Sequence, residues 1–397
     1  MKKHLLTAAL ATVIASASVA HAADSIKVGV ILGFTGPIES LTPDMAASAE
    51  LAFKEASDSG MLLNGAIIEP IRADSTCVDA SAATAAAERL VTSDKVVAIM
   101  GGDCSGVTTA IANSVAIPNG VVSVSPSATT PALSSIDDKG LFFRTAPSDA
   151  RQGQVMADAV IEAGITSIAV TYTNNDYGKG LSDAFVAAYN KLGGEVVIVA
   201  AHEDGKADYS AEVAALAAAG ADKLAVLGYV DQGGKGIIQA SIDTGAFETF
   251  VLGDGMIGQG LIDDFGDDMV DTIAMSPGGT SDASTKFIKM AQDNNIGGEG
   301  PYDGTSYDAG ALIALAIQAG GSADRASIQA NMTKVANAPG TKIYPGEIKK
   351  ALEILASGGD VDYVGATNIE FNDIGEVFGT YRQLEIKDEK FSLVKVR

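Results

Sequence analysis

Apolar and polar positions follow one repeating order: a short apolar run, then a longer segment whose apolar residues are spaced as on one helix face. Such runs predict buried strands, and such segments predict amphipathic helices. In the first part of the chain, strands are predicted at 26–32, 67–74, 96–100 and 121–125, and helices at 44–59 and 80–92. This alternation favours βαβ units and parallel sheets that are covered on both faces.

The same order starts again after residues 144–147. Strands are predicted at 168–172, 195–201, 223–227, 249–252 and 272–275, with helices at 152–163, 180–191, 210–219 and 235–244. Helices at 284–294 and 307–320 are assigned to the first sheet, and strands at 379–386 and 391–396 to the second. We therefore expect an α/β fold of two doubly wound parallel-sheet lobes joined by three crossovers. The first lobe would comprise 23–145 and 276–372, and the second 146–275 and 373–397, because a chain of 397 residues exceeds one core.

The N-terminus predicts export. Lys2 and Lys3 precede an apolar run at 5–20 and a small-residue cleavage pattern at 20–22, which together are typical of a secretory signal peptide over residues 1–22. The run is too short and too rich in Ala and Ser for a membrane-spanning helix. No cysteine lies near the cleavage point, which disfavours a lipid anchor. The expected location is the periplasm, with no part embedded in the membrane.

Charge and cysteine content narrow the possible partners. With 27 basic and 50 acidic residues, the net charge is −23, which argues against binding to nucleic acid or anionic lipid. In an oxidising compartment, Cys77 and Cys104 are expected to form a disulfide. These two cysteines and His202 do not suffice for a zinc site, so neither a metal nor a cofactor is expected.

Two hydroxyl-rich turns follow neighbouring predicted strands. Ser105 lies just after strand 96–100 and is predicted to cap a helix, and the sequence Ser-Pro-Ser-Ala-Thr-Thr at 125–130 ends strand 121–125. In a parallel sheet both turns emerge at the carboxyl edge, where open α/β sheets bind ligands. Hydroxyl and N–H donors there predict a site for a carboxylate, with no group suited to catalysis.

Several short segments carry a family resemblance. They are Val28-Gly29-Val30, the stretch 33–37, Cys77, Cys104-Ser105, the stretch 125–129, the stretch 175–178, Gly228-Tyr229 and Gly253-Asp254-Gly255. In this order they resemble the bacterial leucine/isoleucine/valine-binding proteins, the type I periplasmic substrate-binding proteins of amino-acid ABC transporters. The resemblance covers essentially the whole chain after residue 22 and implies a ligand cleft between two lobes.

The resemblance also implies roles for individual residues. The ligand's carboxylate would be bound by the hydroxyl and N–H of Ser105, and the turn Ser127-Ala128-Thr129 would contact both ends of the amino-acid backbone. From the second lobe, Tyr177 and Tyr229 would close over the ligand, and Asp254 would pair with its α-ammonium. This division fits a zwitterion, since an unpaired buried charge is costly.

Three further positions qualify the expected specificity. Asp103 stands where the family would have an apolar residue beside the ligand's side chain; it either faces the ligand, caps the helix start or points to solvent. If it faces the ligand, a polar or cationic side chain becomes possible. Leu41 stands where the family often has an aromatic lid, and Tyr302 is a further candidate for the pocket.

The expected function is capture of a free amino acid, branched-chain or otherwise aliphatic or neutral, by a monomer that delivers it to an inner-membrane ABC permease. Three alternatives stay open: a polar or basic amino acid, a non-amino carboxylate that has no use for Asp254, and a role as a ligand sensor. A hydrolase is disfavoured because His202 is the only histidine after residue 22 and there is no GxSxG motif. The GxGxxG match at 253–258 is a weak dinucleotide signal, since Asp254 would repel phosphate.

Overall fold

The computed structural model describes residues 25–269 and 271–397. The predicted signal peptide at 1–22 lies outside these residues. Within the described ranges, no helix combines the length and apolar character needed to cross a membrane. The described strands form two large sheets and one strand pair, and the chain passes between the large sheets three times.

The first large sheet contains five parallel strands in the order β2-β1-β3-β4-β5. The strands are β1 (Ser25–Leu32), β2 (Ile67–Asp74), β3 (Ala98–Gly101), β4 (Val122–Ser125) and β5 (Phe142–Arg144), and the intervening α-helices are α1 (Thr42–Asp58), α2 (Ala80–Glu88) and α3 (Ser105–Ile111). Strands β3 and β4 are buried along their whole length, as expected for a parallel sheet covered on both faces.

The second large sheet is built from the next five strands. Its elements in chain order are α4 (Asp149–Glu162), β6 (Ser167–Thr173), α5 (Asp176–Lys191), β7 (Glu195–His202), α6 (Ser210–Ala217), β8 (Lys223–Leu227), α7 (Gly233–Thr244), β9 (Thr249–Leu252), α8 (Gln259–Phe265) and β10 (Ile273–Pro277). These five strands are mutually parallel in the order β10-β9-β8-β6-β7. The predicted parallel-sheet architecture is confirmed for both sheets.

The chain then returns to the first sheet and finally to the second. The returning part contains α9 (Asp282–Asp293), α10 (Asp303–Gly320), α11 (Arg325–Ala336), β11 (Thr341–Ile343), α12 (Ile348–Ala356) and β12 (Val361–Tyr363); β13 (Tyr381–Lys387) and β14 (Lys390–Val396) follow. Strands β13 and β14 extend the second sheet in antiparallel fashion. A two-residue turn, Asp388-Glu389 with positive φ angles of 52° and 56°, joins them, and such a turn connects only antiparallel neighbours.

Helix α10 forms the centre of the first lobe's core. It is buried on nearly every side between α1, α11 and α12, consistent with its uninterrupted apolar run from Ala309 to Ile317. A Cβ atom on Gly310 would lie 2.7 Å from the carbonyl oxygen of Ala49, so a glycine is needed where α10 crosses α1. The polar face expected of a surface helix is absent from its middle turns.

Several helices begin about one turn earlier than the apolar spacing predicts. Helix α4 begins at Asp149 rather than 152, because the Ser148 side chain accepts a hydrogen bond from the Ala150 N–H. Helix α5 begins at Asp176 rather than 180, with the Asn175 side chain accepting from Gly178 N at 3.0 Å. The first turns of these helices are polar, so the spacing of apolar residues does not reveal them. These turns nevertheless carry residues of the candidate site.

Candidate functional site

A disulfide holds the entrance loops of the first lobe together. Cys77 and Cys104 are bonded with an S–S distance of 2.03 Å, which confirms the predicted pair. The bond joins the loop after β2 to the residue that precedes α3. Both cysteines are buried, and Cys104 borders the cavity described below.

Asp103 is a buried structural carboxylate beside the cavity. Its Oδ2 accepts a hydrogen bond from Gly33 N at 2.5 Å, and its Oδ1 accepts one from Ser75 Oγ at 3.0 Å. Burial raises the pKa of Asp103, and the Gly33 N–H opposes that rise. The side chain thereby links the ends of β1, β2 and β3. Of the alternatives left open by the sequence, exposure to solvent and capping of α3 are wrong, since the residue is only 1% exposed and its oxygens bind Gly33 and Ser75.

Ser105 is the first residue of α3 rather than its cap, a position that Cys104 occupies without a side-chain bond. The prediction of Ser105 as an N-cap is therefore wrong by one residue. Its Oγ instead accepts a hydrogen bond from Thr130 N at 3.1 Å. This bond joins the two hydroxyl-rich turns, as their common position at the sheet edge allows.

The second hydroxyl-rich turn is braced by its own serines. Ser125 Oγ donates to the Gly102 carbonyl at 2.6 Å and accepts from Ala128 N at 3.0 Å. Ser127 Oγ donates to the Asp103 carbonyl at 3.1 Å. The Ala128 N–H is therefore already bound within the turn. Thr129 differs, because its buried Oγ1 has no hydrogen-bond partner among the described residues.

The second lobe contributes two stacked tyrosines and a carboxylate. The rings of Tyr177 and Tyr229 lie 5.1 Å apart at an interplanar angle of 20°. Tyr177 OH donates to Asp254 Oδ1 at 2.7 Å and accepts from Gly255 N at 3.0 Å. Burial raises the pKa of Asp254, and the Tyr177 hydroxyl opposes that rise. Asp254 Oδ2 is left with no hydrogen-bond partner in the described part of the chain.

These groups meet around a small cavity of about 10 Å³ between the lobes. The side chains and backbone that line it come from both lobes: Ile38, Asp103, Cys104, Ser105, Ser127, Tyr177, Tyr229, Gly255 and Tyr302. Most of the residues predicted for the site are thus brought together. Ala128, Thr129 and Asp254 do not line the cavity themselves, although Ala128 follows the lining residue Ser127 and Asp254 precedes the lining residue Gly255.

Leu41 is a predicted site residue that borders a different cavity. It is half-buried where the two lobes meet and borders a larger groove of about 600 Å³, whereas Ile38 lines the small cavity. The cause is local: Ile38 and Leu41 lie on a turn that leads into α1, closed by a hydrogen bond from Leu41 N to the Ile38 carbonyl. The four residues of this turn place Ile38 toward the cavity, an orientation that sequence spacing does not specify.

Sequence reasoning also missed Asp149 and Gln152 in the first turn of α4. Both are fully buried, and none of their side-chain oxygen or nitrogen atoms has a hydrogen-bond partner among residues 25–269 and 271–397. Their spacing of three positions would have placed them on one helix face. That signal was available, but it required the helix to begin at 149. The described residues contain no group of three His, Cys, Asp or Glu side chains arranged to hold a metal ion.

Comparison with known proteins places this architecture in a family. The family model described as periplasmic binding protein matches residues 25–349. The Leu/Ile/Val-binding protein homolog 3 of Brucella melitensis is 32% identical over 262 residues, which are 65% of this chain and 67% of that protein. Two lobes with a cavity between them are the architecture of the type I periplasmic binding proteins. The chain belongs to the periplasmic binding protein family, a family of substrate-binding proteins rather than enzymes.

Two solved structures share the fold. The branched-chain amino acid transporter substrate binding protein LivJ of Streptococcus pneumoniae, in complex with isoleucine, matches with a TM-score of 0.76 at 23% identity, covering 94% of this chain and 99% of LivJ. An ABC transporter solute binding protein of R. palustris, in complex with 4-hydroxybenzoate, matches with a TM-score of 0.76 at 18% identity, covering 94% and 97%. At these identities the likeness establishes the fold and leaves the ligand undetermined.

Proposed function

We propose that this protein captures a free α-amino acid between its lobes in the periplasm and delivers it to an inner-membrane ABC permease. The observation that carries the proposal is the distribution of polar groups across the cleft. The first lobe contributes the buried hydroxyl groups of Ser105 and Thr129, and the second lobe contributes the buried carboxylate of Asp254. A zwitterion needs donors at one end and an anion at the other.

The carboxylate end of the ligand is assigned to the first lobe. The Thr129 hydroxyl is buried and has no partner in the described structure, and the N–H of Ser105 opens α3 with no backbone acceptor in its own helix. Both groups can donate to a carboxylate oxygen. The Ser105 hydroxyl retains its own proton for donation while its oxygen accepts from Thr130.

The ammonium end is assigned to Asp254. Its Oδ1 is held by Tyr177 and Gly255, which fixes the carboxylate, while Oδ2 remains free to accept a hydrogen bond. An unpartnered buried carboxylate oxygen is costly unless a cation neutralises it. A bound ammonium would supply that charge and remove the cost.

The lining favours an aliphatic side chain. Ile38, Cys104 and the Tyr229 ring present apolar surface to the cavity. Asp103 is the one acidic residue in the lining, and both of its oxygens bind the protein's own donors. It therefore does not offer a free oxygen to a basic side chain, which favours a neutral amino acid.

Binding would be coupled to motion of the lobes. A cavity of about 10 Å³ holds no more than one water molecule, so an amino acid enters only when the lobes separate. We propose that the ligand first binds the first lobe, after which the second lobe brings Tyr177, Tyr229 and Asp254 onto it. The closed form is stabilised by the contacts made only in that form.

A non-amino carboxylate is the second candidate, favoured by the 4-hydroxybenzoate complex of the R. palustris protein with the same fold. Such a ligand would leave Asp254 Oδ2 without a cation. A thermal-shift screen of the refolded, ligand-free chain with the twenty amino acids and simple carboxylates separates the two candidates. Ligand at a thousandfold excess over its dissociation constant stabilises by about 4 kcal/mol, which raises the melting temperature measurably. Shifts with Leu, Ile or Val support the proposal, and shifts with benzoates alone would overturn it.

A further inference from the structure

Two hydrogen bonds join the lobes at a place that belongs to none of the crossovers. Asp231 follows β8 of the second sheet, and residues 37–40 lie in the turn between β1 of the first sheet and α1. Asp231 N donates to the Pro37 carbonyl at 3.1 Å, and Ser40 N donates to Asp231 Oδ2 at 2.8 Å. One residue of the second lobe thus binds both ends of a four-residue segment of the first. These two hydrogen bonds are called the closing contact below.

The closing contact lies outside the small cavity but next to it in the chain. Asp231, Pro37 and Ser40 do not line the cavity. Ile38, which does line it, lies between Pro37 and Ser40, and Tyr229, which also lines it, lies two positions before Asp231. The closing contact therefore connects the loop that carries Ile38 with the loop that carries Tyr229.

The N-terminus of α1 explains why a carboxylate is favourable at this position. Leu41, the residue at the N-cap position, makes no side-chain capping bond. Asp44, the acidic residue of the first turn, accepts a hydrogen bond from Gly297 N at 3.1 Å instead. The N–H groups at the start of a helix carry a partial positive charge, which a nearby carboxylate stabilises. Because Asp231 Oδ2 binds the N–H of Ser40, just before Leu41, the second lobe supplies this negative charge to a helix of the first.

The closing contact exists only while the lobes are together. A ligand enters when the lobes separate, because a cavity of about 10 Å³ holds no more than one water molecule. Separation carries Asp231 away from residues 37–40, since the two loops belong to different sheets. A contact made in only one of two conformations stabilises that conformation alone. Asp231 is half-buried, so its hydrogen bonds compete with water and their effect is modest.

We propose that Asp231 is a positioning residue for lobe closure, which stabilises the closed form by placing its carboxylate at the N-terminus of α1 and fixes the segment that carries Ile38. The inference goes beyond the proposed function, because the closing contact is the same whichever compound occupies the cleft. It also specifies a kinetic effect. The contact forms after a ligand has entered the open cleft, so it slows release of the ligand and leaves capture nearly unchanged.

The test measures association and dissociation rate constants by surface plasmon resonance, with L-leucine and 4-hydroxybenzoate as probes, for the wild-type chain, Asp231→Ala and the control Asp222→Ala. Asp222 is exposed and lies just before β8, at the opposite end of the strand from Asp231. We expect Asp231→Ala to raise the dissociation rate constant about three- to tenfold, the effect of losing one hydrogen bond, and to change the association rate constant by less than about twofold. The control leaves both constants unchanged. Melting temperatures of the ligand-free variants establish that each is folded.

A second variant separates the charge of Asp231 from its hydrogen bond. In Asp231→Asn the amide oxygen still accepts from Ser40 N but carries no full charge, so we expect a dissociation rate constant between those of the wild type and Asp231→Ala. An unchanged dissociation rate constant in Asp231→Ala, or a loss of affinity that arises only from slower association, overturns the inference while the proposed function stands. If the wild-type chain binds 4-hydroxybenzoate and no amino acid, the proposed function falls, and the rates measured with 4-hydroxybenzoate still decide the inference.

Discussion

Replacing Arg144 with methionine removes a fully buried guanidinium that makes four side-chain hydrogen bonds. Its Nη1 donates to the carbonyls of Ala128 and Thr130 at 3.1 and 3.0 Å, and its Nη2 donates to Ser134 Oγ at 2.8 Å and Glu376 Oε1 at 2.6 Å. The residue therefore holds the hydroxyl-rich turn against the last crossing between the lobes.

The expected loss of stability comes from the groups that lose their hydrogen-bond partner when Arg144 is replaced. Glu376 would remain buried without its partner, and breaking a buried ion pair in this way costs about 3–5 kcal/mol. The two carbonyls also lose a donor, although these costs overlap with the first and do not add fully. We expect Arg144→Met to lower the free energy of unfolding by about 3–5 kcal/mol, and Arg144→Met combined with Glu376→Leu to recover part of that loss.

Urea unfolding followed by far-UV circular dichroism measures this loss, since the chain has no tryptophan to serve as a fluorescence probe. The matched control is Arg72→Met, because Arg72 forms an exposed ion pair with Glu50 and such pairs contribute about 0–1 kcal/mol. If Arg144→Met lowers the free energy of unfolding by less than about 1 kcal/mol, the reasoning is refuted, because Glu376 would then not be destabilised by losing its buried partner. A double variant less stable than the single one would refute the coupling to Glu376.

Three further predictions concern the ligand, the disulfide and pH. Asp254→Ala is expected to abolish amino-acid binding in calorimetry while the melting temperature of the free protein stays close to wild type; undiminished affinity would remove Asp254 as the ammonium partner. Replacing both Cys77 and Cys104 with alanine is expected to cost roughly 3–4 kcal/mol in urea unfolding, because the bond closes a loop between positions 27 apart, and reductant should have no effect on that variant. Burial lowers the pKa of His202 to about 4, so the folded chain keeps a neutral imidazole. The unfolded chain takes up that proton near pH 6.5, so about 3 kcal/mol of stability present above pH 6.5 is lost as the pH falls toward 4. NMR titration of the imidazole gives the pKa directly, and a value near 6.5 would contradict burial as the cause.

The tertiary structure decides the roles of particular residues that the sequence left open. Asp103 was an open question because a lone carboxylate after a strand can face a ligand, a helix or solvent. Its partners, Gly33 and Ser75, lie 70 and 28 positions away, and only the pairing of β3 with β1 and of β1 with β2 brings them to it. Asp149 was missed for a related reason, since its neighbours Thr129 and Asp254 come from different lobes.

Short segments of the sequence by themselves determined many features of this protein. Apolar periodicity located the strands and most of the helices, cysteine count and an export signal indicated the disulfide, and the hydroxyl-rich turns located one half of the candidate site. These features depend on residues close together in the chain. The closeness of Asp149 to Asp254, the position of Ile38 in place of Leu41 and the antiparallel edge formed by β13 and β14 were decided by how the two sheets pack. Burial and charge pairing depend on contacts between distant segments, which spacing along the chain does not record.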